Sequence, residues 1–375
     1  MTMKFLNTEQ APARIRVVGV GGCGGNIIRH LQEKEVPGIE YAAVNTDSQA
    51  LSLVENAECV QIGGSSGLGA GADPEIARQA AENDKERLTE LVRGYDMVFI
   101  VSGMGKGTGT GASPIVARLA REQEALTVAV ATLPFSHERR DAAAEKGLQN
   151  LTREVNSLLV VPNAKLSEVL GEDAAVPAAL AAANDVLHNA VRGISEIITK
   201  PGEMNLDFKD VRSVMSVQGK AVMGSASKSG EDRAAEAAHE ALCCPIMEDI
   251  NWSAATHFLV NVTASPHHLK LSEMDAVHQV IDEKAPHCHS ERFVGLVYDK
   301  SMGEAIRVTI IATGIDERQP AVETASGPPS LKVIEANMKD DAFTSGRVRK
   351  QKEDICQKHG GNVKAIPAIL RAQRN

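Results

Sequence analysis

Aromatic residues make up only 3% of this 375-residue chain, with a single Trp. So sparse a supply argues against a surface that stacks nucleic-acid bases. Positive charge is also short: 40 Lys and Arg stand against 49 Asp and Glu, a net charge of −9. That balance speaks against a generic binder of nucleic acid or anionic membrane. No apolar run reaches membrane-spanning length, and the opening MTMKFLNTEQAPAR lacks the apolar core of a signal peptide. The expected setting is the cytoplasm, with no direct membrane insertion. Six cysteines (23, 59, 243, 244, 288 and 356) fall in no zinc-type spacing and no small disulfide framework. Cys243-Cys244, His267-His268 and His287-Cys288-His289 read as surface loop, so no protein-built metal site is expected.

Glycine, by contrast, is concentrated where it carries chemistry. Residues 98–114 read VFIVSGMGKGTGTGASP. A run of β-branched residues ends in Gly103, Gly105, Gly107, Gly109 and Gly111, and a helical pattern starts at Ser113-Pro114. Strand, glycine loop and helix start together present backbone N–H groups and a positive helix end to an anion. Glycines are entropically costly, so this many point to something approaching the backbone closely, and phosphate is the expected visitor. Two further glycine loops, Gly21 to Gly25 and Gly67 to Gly71, also follow strand patterns.

Strands are expected at Arg14–Val20, Tyr41–Asn45, Cys59–Ile62, Ala125–Thr132 and Leu158–Val161, alternating with helices. This predicts an α/β, Rossmann-like parallel sheet covered on both faces, with ligands beyond the carboxyl ends of its strands. Pro177 to Thr199 is one long helical pattern stopped by Lys200-Pro201-Gly202. A smaller α+β domain follows, with strands at His257–Thr263, Arg292–Tyr298 and Ile306–Ala312. The expected organisation is an arm over residues 1–13, a nucleotide domain over 14–176, a central helix over 177–200, a second domain over 201–315, a linker over 316–362 and a terminal peptide over 363–375. From Met338 onward nine Lys and Arg face four Asp and Glu, and the chain closes on the apolar cluster Ala365–Arg371. That order suits a tethered docking peptide or a helix packed back on the body.

Gly19-Val-Gly21-Gly-Cys-Gly24 fits the dinucleotide fingerprint, with Asp47 near the place of a ribose-binding acid. A nicotinamide enzyme is thus a rival, but it gives the other two glycine loops no task. Lys106 is not a Walker lysine: Gly107 follows it where Ser or Thr is needed. Asp207 and Asp210, past the long helix, read either as a helix cap and its first turn or as two carboxylates orienting a water or metal. A helix of about 22 residues would hold them roughly 33 Å from the phosphate rim. The two ends could meet only by head-to-tail stacking, which does not close and so builds filaments.

These motifs resemble the tubulin/FtsZ superfamily, on its bacterial division branch. The stretches that carry the resemblance are VVGVGGCGGN (17–26), NTDSQAL (45–51), GLGAGADPE (67–75), GMGKGTGTGASP (103–114), NLDFKDV (205–211), MGSASKSGEDRA (223–234) and RVTIIATGI (307–315). The resemblance implies a GTPase that polymerises with itself into protofilaments and forms the cytokinetic ring at midcell. It implies that Gly22, Cys23, Gly24, Gly25 and Asn26, with Gly105, Lys106, Gly107, Thr108, Gly109 and Thr110, form the phosphate-binding loops. Asn45 and Asp47 belong to the same nucleotide site, with Ala70, Gly71 and Ala72 on the γ-phosphate side. Glu138 and Arg140 would reach ribose and phosphates, and Asn163, Asn184 and Asp185 would read guanine. Asn205, Asp207 and Asp210 would enter the next subunit's site and position the hydrolytic water, with GTP or GDP bound and Mg²⁺ present. The peptide Ala365–Arg371 would dock division proteins and membrane tethers. Four residues depart from the family pattern: Cys23, Asp73, Lys106 and Leu180. Cys23 would be strained if its backbone needs a positive φ, and Lys106 puts a cation beside the phosphates. A catalytically weak paralogue that co-assembles with another member is the alternative.

Overall fold

The computed structural model describes residues 13–171, 175–199, 202–204, 206–217, 219–243, 252–266, 268–285 and 291–315. The expected arm up to residue 12, Asn205, the linker and the Ala365–Arg371 peptide lie outside them.

The apolar runs of the first half become six parallel strands: β1 (Ile15–Val20), β2 (Ile39–Asn45), β3 (Glu58–Gln61), β4 (Met97–Gly103), β5 (Leu126–Leu133) and β6 (Ser157–Pro162). Their order is β3-β2-β1-β4-β5-β6, and the sequence of strands reverses between β1 and β4. β1 is buried along its whole length, as is β4 up to Ser102, because helices cover both faces. Alternation along the strands sorts their side chains. Val17, Phe99 and Val128 share one core with Ile27, Ile28 and Leu31 of α1 (Gly21–Glu33) and Leu187, Val191 and Ile194 of α8 (Val176–Thr199). Val18, Ile100 and Ala129 face the other way. They meet α3 (Pro74–Asn83), α4 (Lys85–Val92), α5 (Gly107–Glu122) and α6 (Asp141–Glu154). Each fully buried Leu, Ile or Phe contributes roughly 1.5–3 kcal/mol. Two shorter helices, α2 (Ser48–Ser52) and α7 (Asn163–Leu170), sit just after β2 and β6.

The second half adds β7 (Gly202–Met204), α9 (Phe208–Met215), β8 (Gly219–Lys228), α10 (Arg233–Leu242), β9 (His257–Ala264), α11 (Leu271–Lys284), β10 (Glu291–Tyr298) and β11 (Ile306–Ile315). β8 pairs parallel to β6 from Ser157↔Gly219 to Leu159↔Ala221. Through that short seam one eleven-stranded sheet runs across both halves. β11 is antiparallel to β8 and β9, so this half is mixed where the first is purely parallel. Its own core gathers Phe258, Val260, Val308 and Ile310 under α10 and α11.

Arg233 ties α10 to α11 from a buried position. Its guanidinium donates to Glu273 Oε1 at 2.7 Å and Oε2 at 3.1 Å, and to the carbonyls of His268 and Glu304. Glu273 also accepts the Lys270 N–H at 2.8 Å, closing the first turn of α11. The bond from Arg233 holds the Glu273 carboxyl below the usual range, against the push of burial. A lowered folded pKa contributes stability above the unfolded value, about 4.3, and loses it as pH falls through the folded value. Glu273→Gln should therefore cost about 1.5 kcal/mol at neutral pH, the scale of one hydrogen bond to a charged group. The gap to the unsubstituted chain should close as urea midpoints are followed into acid; a gap independent of pH would show that the charge adds nothing.

Candidate functional site

The carboxyl ends of the parallel strands open on one cavity of about 620 Å³, the size range of small-ligand sites. Three loops build its floor. The first joins β1 to α1 through Gly21, at φ +76°. A Cβ added there would stand 2.9 Å from the Gly109 nitrogen, so this loop lies backbone to backbone on the first turn of α5. The second is the glycine-rich stretch after β4. Gly105 takes φ +98°, and its N–H donates to Thr110 Oγ1 at 2.9 Å. That turn delivers Gly107-Thr108-Gly109 to the start of α5, whose first N–H groups have no side-chain cap. Uncapped N–H groups at a helix start attract anions. Thr108 Oγ1 meets Thr46 Oγ1 at 2.7 Å, linking this turn to the end of β2. The third loop runs through Gly67, Gly69, Gly71 and Ala72, all at positive φ. Ala72 holds φ +63° despite its Cβ, a strained backbone of the kind that clusters at binding sites. Asp73 ends the loop by capping α3, accepting the Glu75 N–H at 2.8 Å.

The wall includes the expected residues Gly22, Cys23, Asn26, Asn45, Asp47, Ala70, Gly71, Ala72, Lys106, Gly107, Thr108, Gly109, Glu138, Asn163 and Asn184. Six other expected contacts stand behind it. Gly24 and Gly25 are closely packed on the side where a Cβ would stand: one on Gly24 would lie 2.7 Å from the Val101 oxygen and one on Gly25 3.2 Å from Val54. Gly105 and Thr110 brace each other beneath the loop. Arg140, the residue before α6, follows the left-handed Arg139 (φ 52°) and sets its Cβ against Gly105, behind the loop after β4. Asp185 is drawn toward α1, bonded to His30 Nε2 at 2.8 Å and to Lys34. Burial pushes its carboxyl up, but the bonds from Lys34 and His30 outweigh that and hold it low.

Cys23 corrects another expectation. It sits in α1 outside the positive-φ residues, so no backbone strain attends it. Its Sγ lies 3.6 Å from Thr132 Oγ1. Asp47 caps α2 with one carboxylate oxygen, Oδ1, which accepts the Gln49 N–H at 2.9 Å and the Ala50 N–H at 3.1 Å. Thr46, Thr132 and Phe135 also stand on the wall, where the ends of β2 and β5 place them. Leu180 and Leu53 add an exposed aliphatic margin.

Asp207 and Asp210 lie elsewhere. They form a reciprocal cap on α9: Asp207 Oδ1 accepts the Asp210 N–H at 2.9 Å, and Asp210 Oδ2 accepts the Asp207 N–H at 3.1 Å. Arg212, one turn on, donates to the Glu124 carbonyl at 3.0 Å, just before β5 begins. The cavity opens at the other end of β5, at Leu133 and Phe135. Eight residues of parallel strand span roughly 26 Å, so these carboxylates and the cavity occupy opposite rims.

Polyphosphate fits the cavity: its floor is glycine backbone and an uncapped helix start. A divalent cation finds no cage of protein ligands, since no cluster of three His, Cys, Asp or Glu that could hold a metal occurs among the described residues. Mg²⁺ suits this wall only as a partner of phosphate oxygens.

Residues 14–171 match the family model described as Tubulin/FtsZ family, GTPase domain, and residues 219–316 match FtsZ family, C-terminal domain. The chain is 47% identical over 310 residues to the cell division protein FtsZ of Pseudomonas aeruginosa, covering 82% of this chain and 78% of that one. It is 42% identical over 378 residues to the FtsZ of Neisseria meningitidis, covering 97% and 96%. Among solved structures, the FtsZ dimer of M. jannaschii superposes with a TM-score of 0.76 at 37% identity, over 83% of this chain and 90% of that one.

Proposed function

The chain belongs to the tubulin/FtsZ family, and from that membership we propose how its two ends share one reaction. It is a GTPase of cell division that polymerises into filaments. In our reading guanine nucleotide lies in the cavity, with its phosphates on the Gly107–Gly109 turn and the Gly21–Asn26 loop. Asn163 and Asn184 face the base and Glu138 the ribose. The residues that complete the reaction come from a neighbour: Asn205, Asp207 and Asp210 of one subunit reach the cavity of the next. There the carboxylates orient the attacking water and accept its proton. The N–H groups of α5 stabilise charge developing on the phosphate oxygens. Mg²⁺, held through those oxygens, supplies further charge neutralisation when bound.

The observation that carries this reading is the separation of the two rims along β5. Each subunit then has a donor end and an acceptor end, and such contacts propagate without closing. The segments 14–176, 177–200 and 201–315 serve as nucleotide domain, spacer helix and activating domain. The protein works in the cytoplasm at the division ring, and the Ala365–Arg371 peptide, an apolar cluster after a polar linker, docks tethers and division proteins.

Specific GTPase activity should rise from near zero once protein concentration passes a threshold, and GTP-dependent pelleting should begin at the same concentration. A specific rate that stays constant through the range where nothing sediments would sink the shared-site reading.

A further inference from the structure

Among the described residues, Lys106 is the single Lys or Arg on the cavity wall. Each of the two acids there is held by one oxygen: Asp47 Oδ1 accepts the Gln49 and Ala50 N–H groups of α2, and Glu138 Oε1 accepts the Phe135 N–H at 3.2 Å. The other, Glu138 Oε2, lies 3.9 Å from Lys106 Nζ. This pair bridges the loop after β4 and the loop after β5, at the cavity edge. It is a weak tie. The distance is at the limit for an ion pair, and the Lys106 side chain is 69% exposed against 25% for Glu138. Exposed pairs of this kind hold their partners lightly. Lys106 also directly precedes the α5 turn whose N–H groups face the cavity, so its ammonium is within reach of whatever those groups hold.

We propose that Lys106 is an exchangeable charge clamp, which leaves Glu138 for the polyphosphate and sets the preference for triphosphate over diphosphate. The proposal rests on the nucleotide reading of the cavity. Its physical basis is charge balance. Asp47, Glu138 and Lys106 leave the wall with a net of −1 from side chains, and a polyphosphate adds several more negative charges. The partial positive charge of α5 offsets some of this, and Lys106 supplies the only full positive charge among the described wall residues. A triphosphate carries one charge more than a diphosphate, so the same ammonium contributes more to its binding. Glu138, once released, keeps its bond to Phe135 and is free to accept from a sugar hydroxyl.

The experiment is calorimetric titration of the full chain with GTP, GDP and inorganic tripolyphosphate, at two salt concentrations. Tripolyphosphate has no ribose, so it separates the effect of Glu138 on the ammonium from any effect on sugar. Lys106→Gln should weaken GTP and tripolyphosphate about tenfold and GDP only about threefold, with a shallower dependence on salt. Lys106→Arg should restore most of the affinity. Glu138→Gln should tighten tripolyphosphate about threefold by freeing the ammonium. If Lys106→Gln leaves GTP and tripolyphosphate affinities unchanged, the clamp is refuted while the nucleotide site stands. If it weakens GTP and GDP equally, the preference is refuted. Absence of GTP binding by the unsubstituted chain would overturn the nucleotide reading itself.

Discussion

Asp210→Asn is expected to lower the GTPase kcat by a hundredfold or more while GTP affinity stays within about twofold. A positioned carboxylate that orients water or takes its proton contributes on this scale. Asparagine is the informative replacement because the role proposed for Asp210 comes on top of its place in the α9 cap. Its Oδ2 accepts the Asp207 N–H, and an amide oxygen can accept the same bond. The cap on α9 therefore survives and only the charge is lost. Alanine would remove both, adding about 1 kcal/mol of lost capping. The cavity lies on the opposite rim, so the substitution leaves the chain's own nucleotide contacts untouched. The discriminating measurement pairs single-turnover hydrolysis with nucleotide titration on one preparation. Loss of GTP binding in step with loss of turnover would make Asp210 a structural residue only. Adding a second chain with intact Asp210 but a damaged cavity should restore part of the turnover, because acids and cavity are then supplied by different subunits.

Gly111→Ala should lower stability by about 3 kcal/mol or more, the upper part of the range for forcing extra volume into a packed interior. Gly111 is buried in α5, and a Cβ on it would stand 1.9 Å from the Pro74 carbonyl oxygen and 2.9 Å from the Arg78 nitrogen. No rotamer relieves that contact, since the obstructing atoms are backbone. α3 must move away from α5, and the Ala70–Asp73 loop that leads into α3 must move with it. Nucleotide affinity should therefore fall together with the urea midpoint. A midpoint unchanged by the substitution would mean that the two helices separate at little cost.

The glycines of residues 103–111 are legible in the amino-acid order only as a cluster. Their density marks a place where something approaches the backbone, and in the structure much of what approaches is the protein itself. Gly109 backs onto the Gly103 carbonyl, where a Cβ would come within 2.4 Å, and Gly111 backs onto α3. In the proposed reading, phosphate recognition falls to the N–H groups between them. Only a folded chain distinguishes a glycine that admits a ligand from one that admits a neighbouring helix. Arg140 and Asp185 are the converse case. Both are expected at the nucleotide, and neither lines the cavity. Arg139 takes a left-handed backbone conformation, and α1 brings Lys34 and His30 against Asp185.

What the amino-acid order determined by itself was local and periodic. Alternating apolar runs made the parallel strands, spacings of three and four made α8, and glycine loops after strands marked the rim on which the cavity opens. Those signals need only neighbouring residues. The tertiary structure alone decided which glycines pack and which remain open to the cavity. It also joined the two halves in one sheet through β6 and β8, and it placed Asp207 and Asp210 on the rim opposite the cavity. Each of these depends on contacts between residues distant in sequence, and a side chain's partners are set by what packs against it rather than by what stands beside it in the chain.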